Sequence, residues 1–202
     1  MKYGDLNLGQ IEAVVNKLGG MEGVKKFLRD ELIVSEPTRS WREENGVIRF
    51  SVTSDGTTRE QWIARLESKG FRVGDCAKSV LRSKSFKPSS GVTYEIAVFK
   101  GELFSDNERI TKNIRKEAKI RKLSIPNAEA ACLIREKFSD KELKVMGLHW
   151  IVVMHKPFKD SGGEPLLLSA GHYGAHDSWL DALYGGPDGR WDRGDGFAFL
   201  AL

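Results

Sequence analysis

The chain has 202 residues, of which 40% are apolar and 30% charged, a composition typical of a folded protein with a hydrophobic core. This composition argues against intrinsic disorder. No apolar run approaches the ~20 residues that a membrane-spanning helix needs. Because the first residues are polar and acidic, unlike the apolar core of a secretory signal, we expect a cytoplasmic protein.

The net charge of +4 is unevenly distributed along the chain. Residues 1–139 hold 26 Lys and Arg against 19 Asp and Glu, whereas residues 140–202 hold 6 against 9. A basic front and an acidic end predict two surfaces with different partners. The overall excess is far below that of typical nucleic-acid-binding modules.

Residues 1–36 predict a helix-turn-helix-like module. Asn7 suits the N-cap of a helix whose apolar residues recur at helical spacing, Gly19-Gly20 ends it, and residues 24–28 give a second helix an apolar face. Because so short a segment cannot bury enough surface to be stable alone, we expect it to dock on another surface. Residues 35–46 are polar and without periodicity, which is typical of a linker.

An α+β domain is predicted for residues 47–202. Val47–Thr53 alternates like a strand, a capping box of Thr57 and Glu60 begins a helix that ends at Gly70, and another helix covers residues 75–82. The two cysteines, Cys76 and Cys132, both fall in predicted helices, and we expect both to be free and buried.

The pattern is clearest in residues 92–202, the last part of this domain. It predicts a strand at 92–100, a long helix at 106–122, a helix at 126–138, a short helix at 139–147, strands at 148–155 and 165–169, a long irregular loop at 170–195, and a final strand. The predicted fold class is therefore α+β.

Histidines offer one candidate catalytic or metal site. His172 and His176 are four residues apart with Asp177 adjacent, and on a helix this spacing would suit zinc. The segment contains a glycine and follows another, so a loop is favoured and no metal or cofactor is expected. His149 and His155 would lie ~20 Å apart on one strand, too far to share a metal. An enzyme centred on His172, His176 and Asp177 remains the third hypothesis.

Acidic and basic clusters give two further candidates. Asp188, Asp192 and Asp195 lack the spacing of a helix–loop–helix calcium site, and interleaved arginines neutralise much of their field. The helix at 106–122 carries seven basic residues against three acidic ones. With the N-terminal helix pair it forms the alternative hypothesis, a nucleic-acid-binding protein. No GxSxG elbow, Cys–His spacing or phosphate-binding glycine loop is present, which favours a binding protein over an enzyme.

The order of elements in residues 92–202 and the ending Trp191-Asp192-Arg193-Gly194-Asp195-Gly196-Phe197-Ala198-Phe199 resemble the C-type lectin fold. More specifically, the segment looks like the variable proteins of diversity-generating retroelements. That resemblance implies a last strand that pairs with the first, preceded by a ligand-binding face whose codons are rewritten by reverse transcription. Where the family has a Gly-Phe-Arg motif, this chain has Gly196-Phe197-Ala198, with alanine in place of the arginine. Residues 8–28 also resemble a short module of uncharacterised proteins from small-genome bacteria.

Residues 169–195 are the predicted binding surface. They contain no asparagine but many residues reachable when adenines of asparagine codons are randomised. Aromatic anchors surrounded by adaptable polar groups are typical of a specific binder. We therefore expect a ligand-binding protein, with a protein or other ligand as partner. The predicted contacts are His172, Tyr173, His176, Asp177, Ser178, Asp181, Tyr184, Asp188, Arg190, Asp192, Arg193 and Asp195, with Trp191, Gly196, Phe197 and Phe199 as scaffold.

Overall fold

The computed structural model describes residues 7–34, 39–174 and 177–201. In this part of the chain, seven α-helices accompany a mixed nine-stranded sheet, which confirms the α+β class. The chain divides into two compact units, Met1–Arg39 and Ser40–Leu202. Within the same described residues, no helix has the length and apolar composition needed to cross a membrane.

The first unit contains two helices where the sequence predicts them, α1 (Leu8–Lys17) and α2 (Gly20–Leu28). The Asn7 side chain accepts a hydrogen bond from the Gln10 backbone at 2.9 Å, and the Gln10 side-chain oxygen accepts one from the Asn7 backbone at 3.0 Å. Gly19 and Gly20 have φ of 89° and 80°, so glycine there gives the turn its left-handed backbone without a Cβ clash. The predicted module also includes residues 1–6, 35 and 36, which lie outside the described residues.

The second unit is built on one sheet. Its strands are β1 (Arg42–Glu44), β2 (Val47–Asp55), β3 (Arg72–Val73), β4 (Ser90–Lys100), β5 (Trp150–Val153), β6 (Phe158–Lys159), β7 (Pro165–Tyr173), β8 (Asp177–Tyr184) and β9 (Asp195–Leu200). They lie in the order β1-β2-β4-β9-β5-β7-β8-β3, with β6 paired to β7. The β5–β9 and β3–β8 pairs are parallel and the other pairs are antiparallel.

Helices cover the two faces of this sheet unequally. They are α3 (Arg59–Ser68), α4 (Asp75–Arg82), α5 (Thr111–Ile120), α6 (Ala130–Lys137) and α7 (Asp140–Val145), with a short 3-10 helix at Gly101–Leu103. The larger core cluster joins α3, α4, α6 and α7 to one face. The smaller cluster places Ile114 and Ala118 of α5 against Phe99, Phe197 and Phe199 on the other face. Because side chains alternate between the two faces along each strand, the sheet has a hydrophobic core on each face.

Two segments predicted as irregular are strands instead. The second half of the predicted linker, Arg42–Glu44, pairs with β2, and the irregular loop predicted for 170–195 contains the end of β7 and all of β8. Their composition misled the prediction because backbone pairing with a neighbouring strand overrides weak local propensity. Only residues 185–194 connect β8 to β9 without a strand.

Several helices begin or end at residues other than those predicted. The capping box of α3 uses Thr58 and Gln61, one residue later than predicted. The helix predicted from residue 126 begins at Ala130. The basic helix predicted at 106–122 is shorter, Thr111–Ile120, because the chain before it turns to bury Arg109. Both cysteines are free, but Cys76 is exposed on α4, contrary to expectation.

Candidate ligand-binding site

The candidate site lies on the face of the sheet opposite α3, α4 and α6. On β7 and β8, Leu166, Leu168 and Leu180 point into the larger core. Side chains alternate between the two faces along a strand, so the odd-numbered residues of β7 and β8, including Tyr173 and Trp179, point to the other face. Gly171 of β7 pairs with Trp150 of β5 on one side and with Trp179 of β8 on the other. The two tryptophans therefore lie on either side of Gly171 in one row across three strands.

Trp150, Tyr173 and Trp179 form what we call the aromatic patch. The ring centroids of Tyr173 and Trp150 are 4.8 Å apart, and those of Tyr173 and Trp179 are 5.8 Å apart, both in edge-to-face geometry. Such pairs contribute about 0.5–1.5 kcal/mol beyond their area burial. Tyr173 is nevertheless 48% exposed, whereas Trp150 is 9% exposed. The patch therefore presents a tyrosine held from two sides by tryptophans.

Gly171 makes room for this arrangement. A Cβ at Gly171 would overlap the Trp150 ring and come within 2.5 Å of the carbonyl oxygen of His149. The Tyr173 hydroxyl donates to the Asp181 carboxylate at 3.1 Å. Partial burial and the Asp181 carboxylate raise the pKa of Tyr173. The phenol is therefore a neutral donor at ordinary pH, with its ring fixed by Asp181.

A cation extends the patch at the edge of the sheet. Arg72 of β3 lies opposite Trp179 in the parallel register, and its guanidinium carbon is 5.5 Å from the Trp179 ring centroid. The same guanidinium pairs with Asp177 at 3.2 Å. Both partners are substantially exposed, so the ion pair contributes little stability. It nevertheless places one cation and one anion beside the aromatic rings.

The patch is supported from the buried face by a hydrogen-bond network. The Arg135 side chain is fully buried and donates to the Gly171 carbonyl at 2.8 Å and to Asp140 at 2.9 Å. Ser178 donates to the other carboxylate oxygen of Asp140. Because these groups join α6 and α7 to both strands of the β7–β8 hairpin, the backbone beneath the patch is held on a rigid support.

The structure separates the predicted contacts into two groups along β8. His172, Tyr173, Asp177, Ser178 and Asp181 lie near the end of the hairpin that carries the patch. Three others lie at or beyond the opposite end: Tyr184 pairs with Leu166, Asp188 pairs with Lys112, and Arg190 bridges Ile110. Since Asp177 and Tyr184 are seven strand residues apart, roughly 23 Å separates these ends. One small ligand cannot contact both.

The loop before β9 contributes contacts of unequal accessibility. Asp192 and Arg193 are exposed, whereas Asp195 is 6% exposed. Asp195 accepts a hydrogen bond from the Asp192 backbone at 2.9 Å. Burial raises the pKa of Asp195 to about 6, with the nearby Asp192 carboxylate adding to the shift. Asp195 as a ligand contact stays a prediction, but its side chain is buried and belongs to the scaffold beneath the loop.

The histidine hypothesis gains no geometric support. The His172 ring faces His149, with ring centroids 5.9 Å apart, while Asp177 points to the other face beside Arg72. His176 lies outside the described residues. Within the described ranges, no group of three or more His, Cys, Asp or Glu side chains could hold a metal ion.

The arginines of the predicted basic helix have structural partners. Arg109 precedes the helix, is buried, and donates to the carbonyl oxygens of Gly101 and Phe104 at 2.8 and 2.9 Å. Arg115 donates to the carbonyls of Met154 and His155 at 2.9 and 2.8 Å. Arg121 pairs with Glu117. A phosphate-binding face at 106–122 would thus depend on its lysines.

Sequence reasoning did not identify three residues of the site. Trp150 and Trp179 lie on the strands that flank β7, and the predicted strand at 148–155 is the local signal that could have identified Trp150. Arg72 gives no such signal, because only the parallel pairing of β3 with β8 brings it there.

Comparisons of the chain with protein-family models, curated proteins and solved structures find no match. The functional argument therefore rests on the geometry of the patch.

Proposed function

We propose that this protein binds a protein or other ligand through the aromatic patch and the polar residues around it. The observation that carries the proposal is the half-exposed Tyr173, fixed between two tryptophans on strands held by Arg135. Aromatic side chains with few torsions lose little entropy on binding, and neighbouring polar groups supply specificity. Arg72, Asp177 and Asp181 supply those polar groups.

We further propose that the chain is a variable protein of a diversity-generating retroelement, with a C-type-lectin-like domain at residues 92–202. The antiparallel pairing of β4 with β9, from Ile96 with Leu200 to Lys100 with Gly196, supports this proposal. Ala198 points into the larger core and is fully buried, so an arginine there would lie buried without a partner. The chain therefore departs from the family motif where its packing requires a small residue.

The DNA beside the gene tests the retroelement proposal. We expect a reverse transcriptase gene and a near-copy of the segment encoding residues 169–196 that differs from it at adenines. Mismatches should fall on exposed or half-exposed positions such as Tyr173 and Asp177, and should spare Asp195, Gly196 and Phe197. A locus without such a copy, or mismatches concentrated in the buried codons, would contradict the proposal.

Display libraries of the full chain test the binding surface directly. One library randomises Tyr173, Asp177 and Trp179, a second randomises Tyr184, Asp188 and Arg190, and a third randomises the buried Trp191, Phe197 and Phe199. Each is displayed on yeast, scored for protease resistance, and selected against lysozyme as a model protein ligand.

We expect the first library to keep protease resistance in most clones and to yield lysozyme binders. The third should lose resistance because it disrupts the core. If the first library is as protease-sensitive as the third, or if binders come only from the second, the aromatic patch is not the binding surface.

A further inference from the structure

A second concave region lies between α4 and the segment that leads into β6. Two adjoining cavities of about 520 and 500 Å³ share Ser83, Phe158 and Lys159 in their linings. Each volume falls in the ~300–1,000 Å³ range of small-molecule and cofactor sites. We call this region the α4–β6 groove.

The lining of the α4–β6 groove is cationic and rich in hydroxyl groups. The cations are Lys78, Arg82, Lys156 and Lys159, the hydroxyls are those of Ser79, Ser83 and Ser85, and Asp75 is the one carboxylate among the lining residues. Lysine, arginine and serine side chains are the usual protein donors to phosphate oxygens. The composition therefore suits a phosphate-bearing ligand.

The four cations differ in how far they are neutralised. Lys78 pairs with Glu67 at 2.7 Å, and Arg82 makes a longer contact of 3.6 Å with Glu60, in which both side chains are more than half exposed. Lys156 and Lys159 are exposed and form no ion pair with any described residue. These two lysines therefore carry the free positive charge of the groove.

Both walls of the groove are held in place by side-chain hydrogen bonds to the backbone. His155, 1% exposed, donates from Nδ1 to the Lys156 carbonyl at 2.8 Å and accepts at Nε2 from the Leu168 backbone at 2.9 Å. On the opposite wall, Arg59 donates to the carbonyl oxygens of Phe86 and Lys84. The lysine ammonium groups thus project from a backbone that does not need to rearrange on binding.

An aromatic side chain lies in the lining shared by both cavities. Phe158 is partly exposed, and its ring packs edge-to-face on His155 at 5.4 Å. Sites for single-stranded nucleic acid combine a cationic groove that follows the backbone with an aromatic ring on which a base stacks. Two adjoining cavities of this size suit successive nucleotides of one strand.

From these observations we infer that the α4–β6 groove binds single-stranded nucleic acid, with Lys156 and Lys159 contacting phosphates and Phe158 contacting a base. This site is distinct from the aromatic patch and from the basic helix predicted at 106–122. Its four cations were not recognised in the sequence because they lie in two segments more than 70 residues apart.

Fluorescence anisotropy of the full chain with a labelled 15-nucleotide oligo(dT) at 50–200 mM salt tests this inference. With Lys156 and Lys159 each contacting a phosphate, the logarithm of affinity should fall with the logarithm of salt at a slope of about −1.4. The variant Lys156→Ala/Lys159→Ala should bind at least tenfold more weakly, with the slope reduced in magnitude by about 1.4. Phe158→Leu should weaken binding without changing the slope.

The matched control is Lys116→Ala/Lys119→Ala, which removes the same charge from exposed positions of α5. We expect it to change affinity less than twofold. An absence of oligo(dT) binding at 50 mM salt overturns the inference, as does an equal loss in the control variant. Equal affinity for a 15-base-pair duplex, or equally tight binding of tripolyphosphate, would also overturn it, in favour of a duplex or a small phosphate ligand.

Discussion

Replacing the buried Asp195 by asparagine should stabilise the protein at neutral pH and leave it unchanged in acid. Burial raises the pKa of Asp195 from the ordinary 3.8 to about 6. At 1.36 kcal/mol per pKa unit, this shift corresponds to about 3 kcal/mol by which the ionised carboxylate disfavours the folded state at pH 7.5. Asparagine is neutral, and its side-chain oxygen can still accept the hydrogen bond from the Asp192 backbone.

The sign of the pH dependence follows from the raised pKa. Between pH 4 and 6 the folded state binds the Asp195 proton more tightly than the unfolded state does, so this residue lowers stability as pH rises. Urea unfolding of Asp195→Asn should therefore show a gain of up to about 3 kcal/mol at pH 7.5 and almost none at pH 4. Equal gains at both pH values, or a loss at pH 7.5, would refute the argument.

A suitable control is Asp188→Asn in the same loop. The Asp188 side chain is 78% exposed and pairs with Lys112 on the surface. Its substitution should change the free energy of unfolding by less than about 1 kcal/mol at either pH. Asp195→Asn should also leave ligand binding intact, because Asp195 is part of the scaffold.

Three further predictions concern the groups that support the two sites. Burial lowers the pKa of His155 from 6.5 to about 4. The free energy of unfolding of Asp195→Asn, measured in urea, should therefore rise by about 3 kcal/mol from pH 4 to 6.5. A flat profile would contradict this. Gly171→Ala should cost about 1–3 kcal/mol in thermal unfolding through overlap with the Trp150 ring, whereas Gly162→Ala, whose Cβ has room, should not. Arg135→Met should cost about 3–5 kcal/mol in urea, because it leaves Asp140 and the Gly171 carbonyl without their buried donor, while equal stability to wild type would show that the network adds nothing.

Helices with local signals were predictable from the sequence. Ser139 and Glu142 form the predicted capping box of α7, Gly147 with φ of 75° follows its end, and α4 covers the predicted 75–82. These features depend on residues within one or two turns of each other, so a sequence pattern contains them.

Features that depend on distant pairing were not predictable. β8 was predicted as irregular because residues 177–184 lack the alternation of a half-buried strand, yet it is held by pairing with β7 on one side and β3 on the other. The basic helix was predicted to begin at residue 106, whereas the chain before Thr111 turns so that the Arg109 guanidinium donates to the Gly101 and Phe104 carbonyls. In both cases tertiary contacts outweigh local propensity.

The candidate site was partly predictable. The exposed Tyr173 and Asp177 were identified from composition, but their neighbours Trp150 and Arg72 come from segments over 20 and 100 residues away. Asp195 was predicted as a contact because it lies in the segment 169–195, and only the register of β9 beside β5 reveals its burial.

The two ends of the sheet also bear on aggregation. Its outermost strands are β1, three charged residues long, and β3, two residues long and beginning with Arg72. Long, flat, uncharged edge strands invite a second chain to extend the sheet, whereas short and charged ones discourage it. The outermost strands thus offer little template for intermolecular strand addition, and the aromatic patch, with its half-exposed Tyr173, lies beside the short edge strand β3.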